Sequence, residues 1–75
     1  MIVRVKLMGM LKDRTPADGQ LELPSEATIR DVLDVLEIDP DSVQIFSVNG
    51  SIQRDQATPL QENDELIVLP PVGGG

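Results

Sequence analysis

The chain predicts an α+β roll, in which one amphipathic helix packs on one face of a mixed sheet in the order ββαβββ. Three observations predict it. Helical periodicity is carried by one segment, where Ile29, Val32, Leu33 and Leu36 follow the i, i+3, i+4, i+7 spacing. Short segments on either side of it alternate with the period of a strand. Asn49-Gly50, finally, is the strongest short hairpin signal, because both residues tolerate the positive φ of a type I′ turn.

Residues 2–8 open the fold as a strand with Val3, Val5 and Leu7 on one face and Arg4, Lys6 and Met8 on the other. The turn-rich stretch 12–19 predicts a loose connection to a short second strand over 20–23, closed by Pro24 and Ser25. Thr28 stands three residues before Asp31, an approximate capping box that starts the helix. Arg30, Asp31, Asp34 and Glu37 form its wet side, and Asp39-Pro40-Asp41 is expected to end it, since proline disfavours a helical residue before it. Residues 45–48 predict the third strand, residues 51–53 its return, and the run Leu66-Ile67-Val68-Leu69 the last strand, stopped by Pro70-Pro71. Glu65 belongs in water, so Ile67 and Leu69 share its open face while Leu66 and Val68 enter the core. The same alternation puts Phe46 and Val48 inward and Ile45 and Ser47 outward. Apolar side chains are thus left on the open face, near Ile67 and Leu69, as a partner surface.

At 75 residues, with 40% hydrophobic and 25% charged positions, the chain has the composition of one small folded domain. Phe46 is its only aromatic residue, so the core is aliphatic and modest in size. Thirteen acidic against six basic side chains give a net charge of −7, which argues against a nucleic-acid partner and for a basic protein partner. No stretch has the length of a membrane span and the start lacks the apolar run of a signal peptide, so no membrane partner is expected and the location is read as cytoplasmic. Zero Cys and zero His remove thiol chemistry and the side chain best suited to proton transfer near neutral pH. Self-contained catalysis is not expected.

Asp39-Pro40-Asp41 invites a metal reading, but two carboxylates fall short of the oxygen ligands a hard cation needs, and no metal site is assigned. Arg4 and Lys6 read as the wet side of an outer strand face. The end of the chain differs. Pro70-Pro71-Val72-Gly73-Gly74-Gly75 directly follows a core strand, so the domain is read as residues 1–69 and residues 70–75 as a flexible tail. A terminal glycine run alone reads as a frayed end. After a core strand and Pro-Pro it reads as a slim lead of roughly 20 Å, able to thread a narrow channel and deliver the Gly75 carboxylate to another protein's active site.

The sequence resembles the ubiquitin-like sulfur carriers, the family of the molybdopterin synthase small subunit (MoaD) and the thiazole-synthesis carrier (ThiS). The likeness rests on the helix opening Thr28-Ile29-Arg30-Asp31-Val32-Leu33, Val48-Asn49-Gly50 at the hairpin, Thr58-Pro59-Leu60 with Asp64-Glu65-Leu66, and the terminal Pro70-Pro71-Val72-Gly73-Gly74-Gly75. Asn63 stands where a glycine is common in the family, the next-best residue for a left-handed turn. Gly73 stands where molybdopterin-synthase small subunits often have alanine, whereas thiazole carriers can end in Val-Gly-Gly-Gly.

The resemblance implies a ubiquitin-like β-grasp roll. It also implies that a ubiquitin-activating-type enzyme adenylates the Gly75 carboxylate with ATP, that a sulfur donor converts it to a thiocarboxylate, and that the carrier donates this sulfur. The chain would then be a non-catalytic co-substrate, monomeric when free, with no permanently bound cofactor. Its acceptor partner would be a large synthase subunit in molybdenum or tungsten cofactor synthesis, or a thiazole synthase in thiamine synthesis. Cysteine or tRNA thiolation, lysine conjugation as a protein modifier, and an interaction module with an inert tail are the other readings. Lacking Cys, the protein cannot carry sulfur as a side-chain persulfide, which independently favours the C-terminal carboxyl.

Overall fold

Strict alternation makes β1 (Ile2–Leu7) a strand with Val3, Val5 and Leu7 buried and Ile2, Arg4 and Lys6 exposed. The computed structural model describes residues 1–16 and 18–69. After β1 the chain forms a 3-10 helix over Gly9–Arg14, where sequence reading expects only a loop, and then β2 (Gln20–Glu22). The helix α1 (Ile29–Val35) follows, then a second 3-10 helix over Pro40–Ser42, and β3 (Ile45–Val48), β4 (Ser51–Gln53) and β5 (Glu65–Leu69). This is the predicted ββαβββ order.

The sheet order is β2-β1-β5-β3-β4. β1 and β5 lie parallel at its centre, and the other neighbours are antiparallel. Val3, Val5, Leu7, Phe46, Leu66 and Val68 point from the sheet into the core, where they meet Ile29, Val32 and Leu33 of α1. Burying one such side chain stabilises the fold by about 1.5–3 kcal/mol.

The first turn of α1 is secured from two directions. Thr28 accepts from the Asp31 N–H while the Asp31 carboxylate accepts from the Thr28 N–H at 2.8 Å, completing the predicted capping box. The Ile29 and Arg30 N–H groups donate to the carbonyls of Thr58 and Gln56, and Leu60 returns its N–H to Ala27. The segment 56–60 therefore satisfies helix amides as well as burying Leu60.

The end of α1 departs from expectation. The helix stops at Val35, ahead of Asp39-Pro40-Asp41, because Glu37 adopts φ 59. The Ile38 N–H bonds the Leu33 carbonyl and the Glu37 N–H the Asp34 carbonyl, a Schellman arrangement in which buried Ile38 follows the left-handed residue. Asp39 instead begins the second 3-10 helix, its carboxylate accepting the Asp41 N–H at 2.9 Å. At the hairpin, Asn49 and Gly50 take φ 52 and 88, as a type I′ turn requires, and Asn63 takes φ 67.

Candidate functional site

The register of the five strands sorts the open face into rows. Gln20, Arg4 and Glu65 form one row, Lys6, Ile67, Ser47 and Ile52 the next, and Leu69 with Ile45 the third. Met8, one residue beyond β1, donates its N–H to the Val68 carbonyl and continues the third row beside Leu69. Rows on one strand face are spaced two residues apart, roughly 6.6 Å. The face thus grades from charged to apolar within about 13 Å, toward the end where β5 leads into residue 70.

Ile45, Ile67 and Leu69 are half-buried, while Met8 is 39% and Ile52 58% exposed. Ser47 is 8% exposed although it lies on the open face, because Ile67 and Ile52 flank it on the neighbouring strands. The four expected surface residues, Ile45, Ser47, Ile67 and Leu69, therefore share one face and are contiguous. Met8 and Ile52 extend the patch and were not singled out from the sequence. Their signal was present: a two-residue turn at Asn49-Gly50 forces Ile52 opposite Ser47, and β1 alternation carries Met8 onto the face of Lys6.

The expected tail-threading residues Pro70, Pro71, Val72, Gly73 and Gly74, the reactive Gly75, and the expected tail flexibility fall outside the described residues. Among the described residues no group of three or more Asp or Glu is arranged to hold a metal ion. No helix among them is long and apolar enough to cross a membrane.

One helix against a five-stranded mixed sheet with parallel first and last strands defines a ubiquitin-like β-grasp protein. A model of the ThiS family matches residues 5–75, and the chain belongs to the ThiS family. This agrees with the resemblance to the ubiquitin-like sulfur carriers read from the residues. A protein described as subunit 1 of molybdopterin converting factor from Pyrococcus furiosus has the same fold, with TM-score 0.72 and 24% identity over 96% of this chain and 99% of that one. Small archaeal modifier protein 1 of Haloferax volcanii superposes with TM-score 0.73 at 22% identity, covering 95% of this chain and 98% of that one. A chain from the complex of subunits 1 and 2 of the molybdopterin-converting factor of Helicobacter pylori gives TM-score 0.61 at 21% identity, with full coverage of both chains. No curated protein matches the sequence.

Proposed function

We propose that this protein carries sulfur as a C-terminal thiocarboxylate, serving as the small subunit of a molybdopterin synthase. The observation that carries the reading is the placement of the apolar rows: they end at Leu69, from which Pro70-Pro71-Val72-Gly73-Gly74-Gly75 continues. A partner seated on Ile45, Ile67 and Leu69 would receive the glycine run directly into its own active site. The Gly75 carboxylate attacks the α-phosphate of ATP on an adenylating enzyme of the ubiquitin-activating type and pyrophosphate leaves. A sulfur nucleophile then displaces AMP, leaving the terminal acyl carbon bonded to sulfur. In the acceptor site that sulfur bonds to a carbon of a pterin precursor, and water takes its place at the acyl carbon, which restores the Gly75 carboxylate. This chain supplies the reacting group and a docking face, and its partners supply the catalytic residues.

The experiment is mass spectrometry of the protein purified from its native host. A species ~16 mass units above the carboxylate form, one oxygen replaced by sulfur, is the expected result, and its absence under conditions of active cofactor synthesis would overturn the reading. The triple glycine after Val72 favours a second reading, thiazole formation in thiamine synthesis, with the same chemistry at Gly75 and a thiazole synthase as acceptor. Co-purification with a large synthase subunit or with a thiazole synthase distinguishes the two. Larger lysine-linked conjugates would instead mark a protein modifier.

A further inference from the structure

Asn49-Gly50 carries a chemistry that the fold uses only as a turn. An asparagine followed by glycine can close a succinimide ring on itself. The Gly50 nitrogen, deprotonated by solvent base, attacks Asn49 Cγ; the new C–N bond forms, the Cγ–Nδ2 bond breaks, and ammonia leaves with a proton taken from water. Water then opens the ring at either carbonyl, giving aspartate or β-linked isoaspartate at position 49.

The folded protein exposes the nucleophile of this reaction and restrains the electrophile. Asn49 and Gly50 are both exposed, nothing lies within 4 Å of where a Gly50 Cβ would stand, and the Gly50 N–H makes no hydrogen bond among the described residues. Asn49 is tied to the start of β5 by three bonds: Nδ2 donates to Asp64 Oδ1 at 2.8 Å, Oδ1 accepts the Glu65 N–H at 2.9 Å, and the Asn49 N–H donates to the Glu65 carbonyl at 2.9 Å. The Asp64 carboxylate is itself oriented from its other oxygen, which accepts the Gln61 N–H at 2.8 Å. With φ 52, Asn49 sits in the left-handed region, where ψ is about +47°. Ring closure needs ψ turned to the opposite side, so that the Gly50 nitrogen swings over Cγ. The turn must open first.

We propose that Asn49 is a deamidation site which Asp64 holds shut, and that it reacts when the β3–β4 hairpin lifts off the start of β5 rather than when the whole domain unfolds. Asn49 lies just beyond Val48↔Leu66, the end of the β3–β5 pairing, and β4 is a three-residue edge strand, so the turn can open while the core stays closed. The product cannot relock. Aspartate at position 49 turns a carboxylate toward Asp64 where an N–H donor stood, and isoaspartate also lengthens the turn backbone by a methylene, which breaks the Val48↔Ser51 register. The site thus keeps a covalent trace of each opening long enough to react. No partner takes part, so the inference stands apart from the sulfur-carrier reading.

The test incubates the full chain, folded, in mildly alkaline buffer well below its melting transition, and measures ammonia release, with peptide mapping to place aspartate and isoaspartate at position 49. Asp18-Gly19 can yield isoaspartate without ammonia and is separated by the same map. The folded wild type is expected to react at least about tenfold more slowly than the chain in urea. Asp64→Ala, confirmed as folded by circular dichroism, is expected to raise the folded rate by about tenfold. Should it fail to fold, Asp64→Ser, which keeps a hydroxyl acceptor, takes its place. Thr28→Ala removes the cap of α1 and lowers stability outside the hairpin, and is expected to leave the rate within about twofold of wild type. A folded wild-type rate within about twofold of the urea rate, an Asp64→Ala or Asp64→Ser rate at or below wild type, or equal acceleration by Thr28→Ala would overturn the inference.

Discussion

The Asn49 side chain locks one turn onto another through Asp64. Its Nδ2 donates to Asp64 Oδ1 at 2.8 Å and its Oδ1 accepts the Glu65 N–H at 2.9 Å, while the second Asp64 oxygen accepts the Gln61 N–H at 2.8 Å. The β3–β4 hairpin is thereby fixed to the start of β5, which sets the register of the open face.

Two substitutions separate the contributions of Asn49. Asn49→Gly keeps the positive φ and loses the bridge, which is expected to cost about 1 kcal/mol. Asn49→Ala adds the left-handed penalty for a total of about 2 kcal/mol or more. Urea unfolding monitored by circular dichroism measures both, and equal stabilities would refute the separation.

Neighbouring residues on β5 should respond oppositely to the same charge. Val68 is fully buried, so Val68→Asp is expected to cost more than about 4 kcal/mol and unfold so small a domain. Leu69→Asp places its carboxylate on the open face and should change stability by less than about 1 kcal/mol while abolishing capture by the adenylating enzyme. Thermal melting of the two variants checks this, and a folded Val68→Asp protein would reverse the assigned strand parity.

Glu37 holds φ 59 at the position after a helix where glycine is ordinarily favoured. Glu37→Gly is therefore expected to raise stability by up to about 1 kcal/mol, the relief of left-handed strain outweighing the entropy glycine loses on folding. A lower melting temperature for the variant would show that the Glu37 side chain contributes something its exposure conceals.

Reach should matter as much as composition at the terminus. Deleting Gly75 withdraws the carboxylate by ~3.3–3.6 Å, and pyrophosphate exchange with the adenylating enzyme is expected to fall below detection even though Gly74 then ends in the same group. Gly74→Val should block exchange with the melting temperature unchanged. Wild-type exchange by the deletion would favour an interaction module with an inert tail.

The start of α1 was legible because Thr28 and Asp31 satisfy backbone groups through side chains whose chemistry can be read from a sequence. Its end was not, because the stop is a backbone conformation at Glu37, a residue type with no preference for it, and Asp39-Pro40-Asp41 offered a stronger but later signal. The 3-10 helix over Gly9–Arg14 escaped for a related reason: six residues are too few to display a periodicity. Strand positions and faces were readable because burial imposes a period of two, and β3 and β4 match residue for residue. On the candidate surface, Ile45, Ser47, Ile67 and Leu69 followed from that period. The Arg4–Glu65 ion pair did not, because it depends on the parallel register of β1 against β5 rather than on a period within either strand.

Seating β5 between β1 and β3 has a mechanical consequence. A partner that grips the chain beyond Leu69 pulls along the axis of a strand held on both sides. Such a pull loads the pairs from Arg4↔Glu65 to Leu7↔Val68, and those from Ile45↔Leu69 to Val48↔Leu66, together and in shear. Hydrogen bonds sheared as a group resist far more than the same bonds opened one after another. The three-residue β4, held along one edge only, is where lateral peeling would begin, on the far side of β3 from the line of tension. The chain can therefore be towed by its end without unravelling the face that presents it.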